Sequence, residues 1–522
     1  AEFQDYIYPG LVSTGKVENG DDKPYHTVIN GENYHALKAL TFTHKGKIDA
    51  IYIDPPYNTG AKDWKYNNDF VDKEDPYRHS KWLSFMYKRL SIAKNLLKPD
   101  GVLICTIDKN EQENLGLLLR EIFFEKTVIC VSIIHNPGGI QGDNFSYTNE
   151  FAYFVYPKKG VYISKKESED NKPRAFRDWG KPTSKRSSTK TMFYPIFVKN
   201  NKIIGFGDVC DDDFHPKKSN IILKNGVIAV YPIDNDGVER KWRFKRDSVE
   251  EIAEELICKN IKNEISIFRI KKNYRWKTVW TDKKYSANTF GTKLLNNIIK
   301  GNFPFPKSLY AVMDCIKAVL HDKNNSIILD FFAGSGTTGH AVLELNKNDN
   351  GNRKFILCTN NEDNNNDGLG VAEDICYKRI SKLIKGYKGI RDKKFHKGLG
   401  GNLSYFKTIF CPSSITDKNK KLLLSEIKDM LCIKEGKFNK IKENKDFSIY
   451  GNKEGYMGII YNHQEIENFK KEIYKIDGKF NIYIFSLGED DFEEEFEVFS
   501  KKIKILPLPD AILRAYNKIF NR

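Results

Sequence analysis

Apolar positions in the first third of the chain switch repeatedly between strand-like and helix-like spacing. His26-Thr27-Val28-Ile29-Asn30 reads as a strand, Gly31-Glu32-Asn33 as a turn, and Tyr34 to Leu40 as the start of a helix. The run 48–53 is the next strand. Trp82, Phe85, Met86, Leu90, Ala93 and Leu97 fall at helical spacing and predict a helix over 81–97, ended by Pro99-Asp100-Gly101. A strand over 101–107 with Asp108 at its end, a helix over 111–123, and strand-like runs at 128–134 and 150–156 follow. This alternation predicts the α/β class, with a doubly wound, mostly parallel sheet covered on both faces.

The rhythm breaks between 158 and 281. Lysine-rich loops and short strands replace it, with Trp179, Trp242, Arg243, Trp276 and Trp280 among basic residues. This stretch reads as an inserted domain of irregular β content. Alternation resumes near 290 and runs to about 388. From 401 the composition changes again, with an acidic run from Glu489 to Glu495 and a helix expected after Pro509. The expected organisation is therefore two halves of one domain, 1–157 and 282–400, an insert at 158–281, and a small C-terminal α/β domain at 401–522. Asn360 to Asp367 reads as a polar loop.

A chain of 522 residues exceeds what one core organises. The formal charge of +16, from 85 Lys and Arg against 69 Asp and Glu, suits a polyanionic partner, because each neutralised phosphate releases counterions. The nine cysteines are odd in number and scattered, with no C-x-x-C pair. That argues against a disulfide framework and against structural zinc, and fits the cytoplasm. His26, His35, His79 and His135 show no metal-ligand spacing, so no metal is expected. Neither a signal peptide nor a long apolar span is present, which argues against a membrane. The chain opens on Ala1 instead of Met, as expected of a processed or trimmed start.

Two loops carry the candidate chemistry. Asp54-Pro55-Pro56-Tyr57 directly follows the 48–53 strand. An exocyclic amino group on a base is a poor nucleophile, because its lone pair is delocalised into the ring. Two acceptors close together can hold both N–H bonds and free that lone pair. An ionised Asp54 offers one and the Pro55 carbonyl the other, on a loop that proline stiffens before substrate arrives. Tyr57 can stack on a base taken out of the helix, and Asp54 places negative charge where the attacked nitrogen becomes positive. The bland alternative is a proline turn after a strand. Asn58 and Thr59 suit either a base pocket or a turn, and Asp108 either faces the site or caps the next helix.

Asp330-Phe331-Phe332-Ala333-Gly334-Ser335-Gly336-Thr337-Thr338 follows Ile327-Ile328-Leu329. Its glycines permit a tight turn and close backbone approach, and the helix beginning at the threonines can meet a carboxylate. Asp330 is placed to accept from a cofactor amino group, and Glu362, beyond the strand 354–359, to hold ribose hydroxyls. Gly334-x-Gly336-x-x-Gly339 also matches a dinucleotide fingerprint. A hydride-transfer enzyme has no use for Asp-Pro-Pro-Tyr, which favours a methyl donor. No lysine follows the glycines as in a triphosphate loop, which argues against a helicase in this chain. Both loops should leave the carboxyl edge of one sheet.

With these loops on the page, the chain resembles adenine-N6 DNA methyltransferases of the permuted group, in which the catalytic loop precedes the cofactor loop. Within that group it resembles the modification subunits of type III restriction–modification systems. The resemblance rests on Asn30 to Asn33, Tyr52 to Gly60, Trp82 to Leu97, Ile104 to Asp108, Leu329 to Thr338, Asn361-Glu362 and the tail Ile503 to Phe520. It implies the S-adenosylmethionine-dependent methyltransferase fold and S-adenosylmethionine as donor. It also implies double-stranded DNA as substrate, a recognition domain in the insert, a homodimer, and a helicase–nuclease restriction subunit as partner. By position, Asp54, Pro55, Pro56 and Tyr57 would hold the flipped base. Asp330, Phe331, Phe332, Ala333, Gly334, Ser335, Gly336, Thr337 and Glu362 would hold the cofactor. Lys307 and Ser308 stand where the family has Lys-Pro, in a segment assigned to the cofactor. Asp at position 54 in place of Ser favours adenine over cytosine N4 by family habit. Cytosine-N4 methylation, an orphan enzyme without nuclease, and a non-catalytic DNA-binding subunit are the alternatives.

In the insert, Lys172, Arg174, Arg177, Lys181, Lys185, Arg186 and Lys190 form a basic stretch interleaved with Phe176 and Trp179, the composition of a DNA contact. The acidic run at 489–495 reads as a solvated face.

Overall fold

The computed structural model describes residues 7–508 except 22, 67–68, 140–143, 169–171, 262, 301–302, 321–322, 363–367, 413–416, 453–454 and 487–491. The helix expected after Pro509, the start of the acidic run and most of the Asn-rich stretch lie outside the described residues.

A ten-stranded sheet organises the larger part of the chain. Its strands are β1 (Ile7–Asn19), β2 (Tyr25–Asn30), β3 (Ile48–Ile53), β4 (Leu97–Ile107), β5 (Lys126–Ile134), β6 (Asn149–Pro157), β7 (Val279–Trp280), β8 (Ile327–Asp330), β9 (Lys354–Thr359) and β10 (Gly401–Pro412). They lie in the order β1-β10-β2-β9-β8-β3-β4-β6-β5-β7. From β10 to β4 the strands are parallel; β1 and β6 run against their neighbours.

The central position of β3 follows from its sequence. All six residues are buried, as continuous apolarity requires. Its one charge, Asp49, is satisfied by Lys98 Nζ at 2.7 Å and by the Ile327 N–H at 2.9 Å. Helix α1 (Asn33–His44) connects β2 to β3, and α2 (Arg78–Leu96) buries Trp82, Met86, Arg89, Leu90, Ala93 and Leu96 along one face. Strand β4 starts earlier than the proline turn predicts: Leu97 already pairs with Ile48, and regular pairing resumes at Val102 after a bulge over 98–101. Helix α3 (Gln112–Ile122) links β4 to β5.

The returning half adds α4 (Leu309–Leu320) before β8, α5 (Thr337–Asp349) between β8 and β9, and α6 (Lys378–Lys385) after β9. From β3 the chain moves outward to β4; from β8 it moves the opposite way to β9. The carboxyl ends of β3 and β8, neighbours in the sheet, therefore flank a topological switch point, where open α/β sheets form their crevice.

The chain divides into two compact units, Lys165–Trp276 and the remainder. The expected boundary at 401 does not stand. Residues 401–412 are β10, which lies in the central sheet between β1 and β2, pairing with β1 over 401–412 and with β2 over 402–407. Beyond it, α7 (Asp417–Glu435) packs on β1, and a separate five-stranded sheet spans Lys440–Glu443 to Ile503–Ile505 around its own core of Phe447, Ile449, Phe469 and Ile482. The 165–276 unit is built of short strands around Phe176, Tyr194, Ile196 and Trp242. Among the described residues no helix is long and apolar enough to cross a membrane.

Candidate active site

Asp54 leaves the end of β3 into the switch-point crevice. Its Oδ1 accepts from the Thr106 hydroxyl of β4 at 2.7 Å and lies 3.1 Å from Lys307 Nζ. Burial raises the Asp54 pKa, Lys307 and Thr106 pull it down, and the nearby Glu150 charge adds to the rise. The loop that follows is held from behind: the indole N–H of the buried Trp82 donates to the Pro56 carbonyl at 2.7 Å.

Tyr57 donates to Glu150 Oε2 at 3.0 Å. Lys307 Nζ lies 2.6 Å from the same oxygen, donates to the Tyr57 hydroxyl, and sits 4.4 Å from the centre of the Tyr57 ring. Asp54, Tyr57, Glu150 and Lys307 thus form one cluster of two carboxylates around one ammonium. Burial works against the Lys307 charge, but Asp54 and Glu150 outweigh it and hold its pKa above the usual range. Burial likewise tends to raise Glu150, yet Lys307 holds that carboxyl below its ordinary value.

Lys307 and Ser308, expected at the cofactor, are held by other groups of the protein. Lys307 directs its ammonium to the Asp54 pocket and not to the glycine loop, because the part-buried Asp54 and the buried Glu150 capture it there. The Ser308 hydroxyl is buried and donates to the Lys284 carbonyl at 2.8 Å, so it anchors the start of α4. Asn58 is also structural. It is fully buried with φ of 56° and donates to Glu111 Oε1 at 2.5 Å, an oxygen that also contacts His79. Thr59 is exposed. Asp108 closes the next turn, accepting from the Asn110 N–H at 2.8 Å and the Asn110 side chain at 2.6 Å.

The second loop begins at Asp330, at the end of β8. Its carboxylate accepts from the Phe332 N–H at 3.0 Å and from the Thr338 hydroxyl at 2.5 Å, tying the start of the loop to the first turn of α5. Burial pushes its pKa up to about 7. Gly334 (φ 47°) and Gly336 (φ 79°) occupy left-handed backbone; a Cβ on Gly336 would lie 3.0 Å from Cys376 Sγ, and one on Gly334 3.0 Å from the Phe303 ring. The Phe331 ring is core, its carbonyl held by Asn33 at 3.0 Å, whereas Phe332 is partly exposed and packs near Phe85. Ala333 is buried, and Glu362 stands exposed beyond β9.

Arg379, fully buried on α6, is a residue the sequence reading missed. Its guanidinium donates to the Ser335 carbonyl and hydroxyl at 3.2 and 3.1 Å and to the Thr337 hydroxyl at 3.0 Å, and lies 3.1 Å from His340 Nδ1. The hydroxyls of Ser335 and Thr337 are turned into the protein toward this arginine. Arg89 does similar work at α1: it bonds Asn33 and Glu32, and Glu32 caps α1 through the Tyr34 N–H at 2.7 Å.

In the 165–276 unit, an open groove of about 670 Å³ is lined by Arg177, Trp179, Lys181, Lys185, Asp234 and Arg240 among others. Trp179, Lys172, Arg174, Lys181, Lys185 and Lys190 are exposed, and Lys190 pairs with Asp212. Arg186 is not available as a DNA contact. It is buried, donating to the carbonyls of Asp211 at 2.6 Å and Phe214 at 2.7 Å, with Glu239 at 3.1 Å. Arg177 is partly buried and donates to the Ile233 carbonyl. Phe176 is core, stacked on Trp242 at 5.5 Å.

The chain matches the DNA methylase family model over residues 48–382, a span that contains both loops and the segment between them. It is 30% identical over 434 residues to the EcoPI Mod subunit of a type III restriction–modification enzyme from Escherichia phage P1, covering 72% of this chain and 65% of that protein. It is 28% identical over 401 residues to the type II methyltransferase M.KpnI of Klebsiella pneumoniae, covering 72% and 91%. The StyLTI Mod subunit of Salmonella typhimurium is 28% identical over 412 residues, covering 72% and 59%. The chain thus spans less than two thirds of the length of these two Mod subunits. With a family match across well over half its residues, centred on the two loops at the switch point, this chain belongs to the DNA methylase family.

Proposed function

We propose that the protein transfers a methyl group from S-adenosylmethionine to N6 of adenine in double-stranded DNA, after the base is flipped out, as the modification and recognition subunit of a restriction–modification system. One observation carries this reading: Asp54 and the glycine turn emerge from adjacent parallel strands, β3 and β8, at the sheet's switch point. The relatives named as Mod subunits support the assignment to a restriction–modification system.

The residues present fit the cofactor. Gly334 and Gly336 hold left-handed backbone that strains any other residue, α5 presents N-terminal N–H groups, and the buried Asp330 lies at the loop's origin. The bound cofactor supplies an electrophilic methyl group. The protein's own part is to bind and orient. Asp54 and the Pro55 carbonyl accept from the amino group and turn its lone pair outward, Tyr57 lies against the base, and the Asp54 charge opposes the positive charge growing on nitrogen. The 165–276 unit is the target-recognition domain, with Trp179, Lys181 and Lys185 at its groove. A homodimer and a helicase–nuclease partner complete the proposal, which places the protein in the bacterial cytoplasm.

Radiolabelled S-adenosylmethionine and duplex DNA test the reading. Label should pass to DNA, and Asp54→Ala should abolish transfer while retaining cofactor binding; undiminished transfer in that variant removes the mechanism. Mass spectrometry of the digested product separates N6-methyladenine from N4-methylcytosine.

A further inference from the structure

Glu150 belongs to neither loop. It projects from β6, an antiparallel strand, and is buried. A carboxylate so placed is costly unless paired. It is paired twice, to the Tyr57 hydroxyl at 3.0 Å and to Lys307 Nζ at 2.6 Å. Lys307 reaches Asp54 as well, at the longer distance of 3.1 Å. The groups that act on this ammonium are Asp54, Tyr57, Glu150, Asp108 and His135.

The arrangement poses a conflict. Asp54 is the acceptor that an adenine amino group needs, yet an ammonium already rests on it. We infer that Glu150 is a positioning residue of the methyl-transfer site: when an amino group enters, Lys307 withdraws from Asp54 onto Glu150, which keeps it inside the pocket. The inference rests on the methyl-transfer reading above. Its logic is one of charge: two carboxylates share one lysine before substrate arrives, and afterwards each has its own donor. Without Glu150, Lys307 has Asp54 as its sole carboxylate in the cluster and competes with the substrate.

The test compares wild type, Asp54→Ala, Glu150→Gln, Glu150→Asp and the double variant Glu150→Gln/Lys307→Met in the full chain. Glu150→Gln should slow methyl transfer about 10-fold or more and raise the KM for DNA, with S-adenosylmethionine affinity unchanged within about two-fold. The double variant should be faster than Glu150→Gln alone, because removing the ammonium releases Asp54. A second readout is independent of turnover. Lys307, followed by mass spectrometry, should react with an amine-directed reagent about 10-fold faster in Glu150→Gln than in wild type, the effect of losing about one pKa unit. Glu150→Asp, which keeps the charge, should stay near wild type in that labelling and serves if Glu150→Gln folds poorly. Unchanged Lys307 labelling, or a double variant no faster than the single, overturns the inference while leaving the methyltransferase reading intact. A wild type that transfers no methyl group, or an active Asp54→Ala, overturns both.

Discussion

The Trp82 indole N–H meets the Pro56 carbonyl at 2.7 Å, from a side chain with no exposed surface. That bond fastens the middle of the Asp-Pro-Pro-Tyr loop to α2. It takes up the Pro56 carbonyl and leaves the loop's shape set before any base enters. Trp82→Phe keeps most of the ring and deletes the donor. Stability should fall by about 1–2 kcal/mol, the cost of leaving a part-buried carbonyl unpaired. Methyl transfer should fall about 10-fold further than occupancy of the folded state explains, because a loosened loop misplaces its acceptors. Urea denaturation with initial rates checks both parts. Full activity in the variant would mean that the prolines alone fix the loop.

Arg379 makes a comparable prediction for the other loop. It is the donor for the Ser335 carbonyl and hydroxyl and for the Thr337 hydroxyl, all buried. Arg379→Met should weaken S-adenosylmethionine binding by about 10-fold or more. It should also destabilise the fold by about 1–3 kcal/mol, because buried neutral acceptors lose their donor. DNA affinity without cofactor should be unaffected. Titration calorimetry and thermal unfolding measure these separately, and intact cofactor affinity would show that the glycine turn needs no support from α6.

Both loops were legible in the sequence because each is local: an apolar strand, then residues whose backbone or side-chain chemistry is rare elsewhere. The sheet's parallel core was legible for the same reason, since β3, β8 and β9 are short apolar runs with nothing to disguise them. What failed was long-range. Lys307 lies 250 residues from Tyr57 in sequence, and no periodicity says that its ammonium turns to Asp54 instead of the cofactor loop. Glu150 and Arg379 look like ordinary charges on a strand and a helix. Glu150 carries one sequence signal, a lone charge in a run otherwise patterned for burial, whereas Arg379, flanked by Lys378 and Lys382, carries none. Arg186 misled because a basic stretch reads as exposed, whereas three backbone carbonyls draw this one arginine inside. The composition shift near 401 places β10 with the C-terminal domain, although the strand pairs with β1 of the central sheet through Pro412.

Glu426, on α7 where it packs against β1, predicts a pH dependence. It is 1% exposed, its Oε1 has no hydrogen-bond partner, and burial pushes its pKa up to about 8. The folded state therefore favours the protonated form. The stability this group contributes is fully present below its unfolded pKa, near 4.5, and is lost as pH rises through about 8. Glu426→Gln holds the site neutral at every pH. It should leave the melting temperature at pH 4 nearly unchanged and raise stability at pH 9 by a few kcal/mol, to order of magnitude. Thermal melts across that range decide the matter; equal gains at both ends would place the effect in packing and not in ionisation.

The insert's basic residues separate by what holds them. Lys181 and Lys185 are exposed at the groove beside Trp179, so each can neutralise a phosphate without disturbing the fold. Lys181→Ala and Lys185→Ala should each weaken DNA binding uniformly across sequences and lower the slope of log affinity against log salt by about 0.9, leaving stability unchanged within about 0.5 kcal/mol. Arg186→Ala should do the reverse. It strands the carbonyls of Cys210, Asp211 and Phe214, leaves Glu239 with His215 alone among the described residues, and should cost the insert about 2–4 kcal/mol. At temperatures where that variant remains folded, its salt slope should match wild type. Salt titrations of DNA binding, run beside unfolding curves, distinguish the two classes. A lower slope in Arg186→Ala, or unchanged slopes in both lysine variants, would move the DNA-binding surface away from this groove.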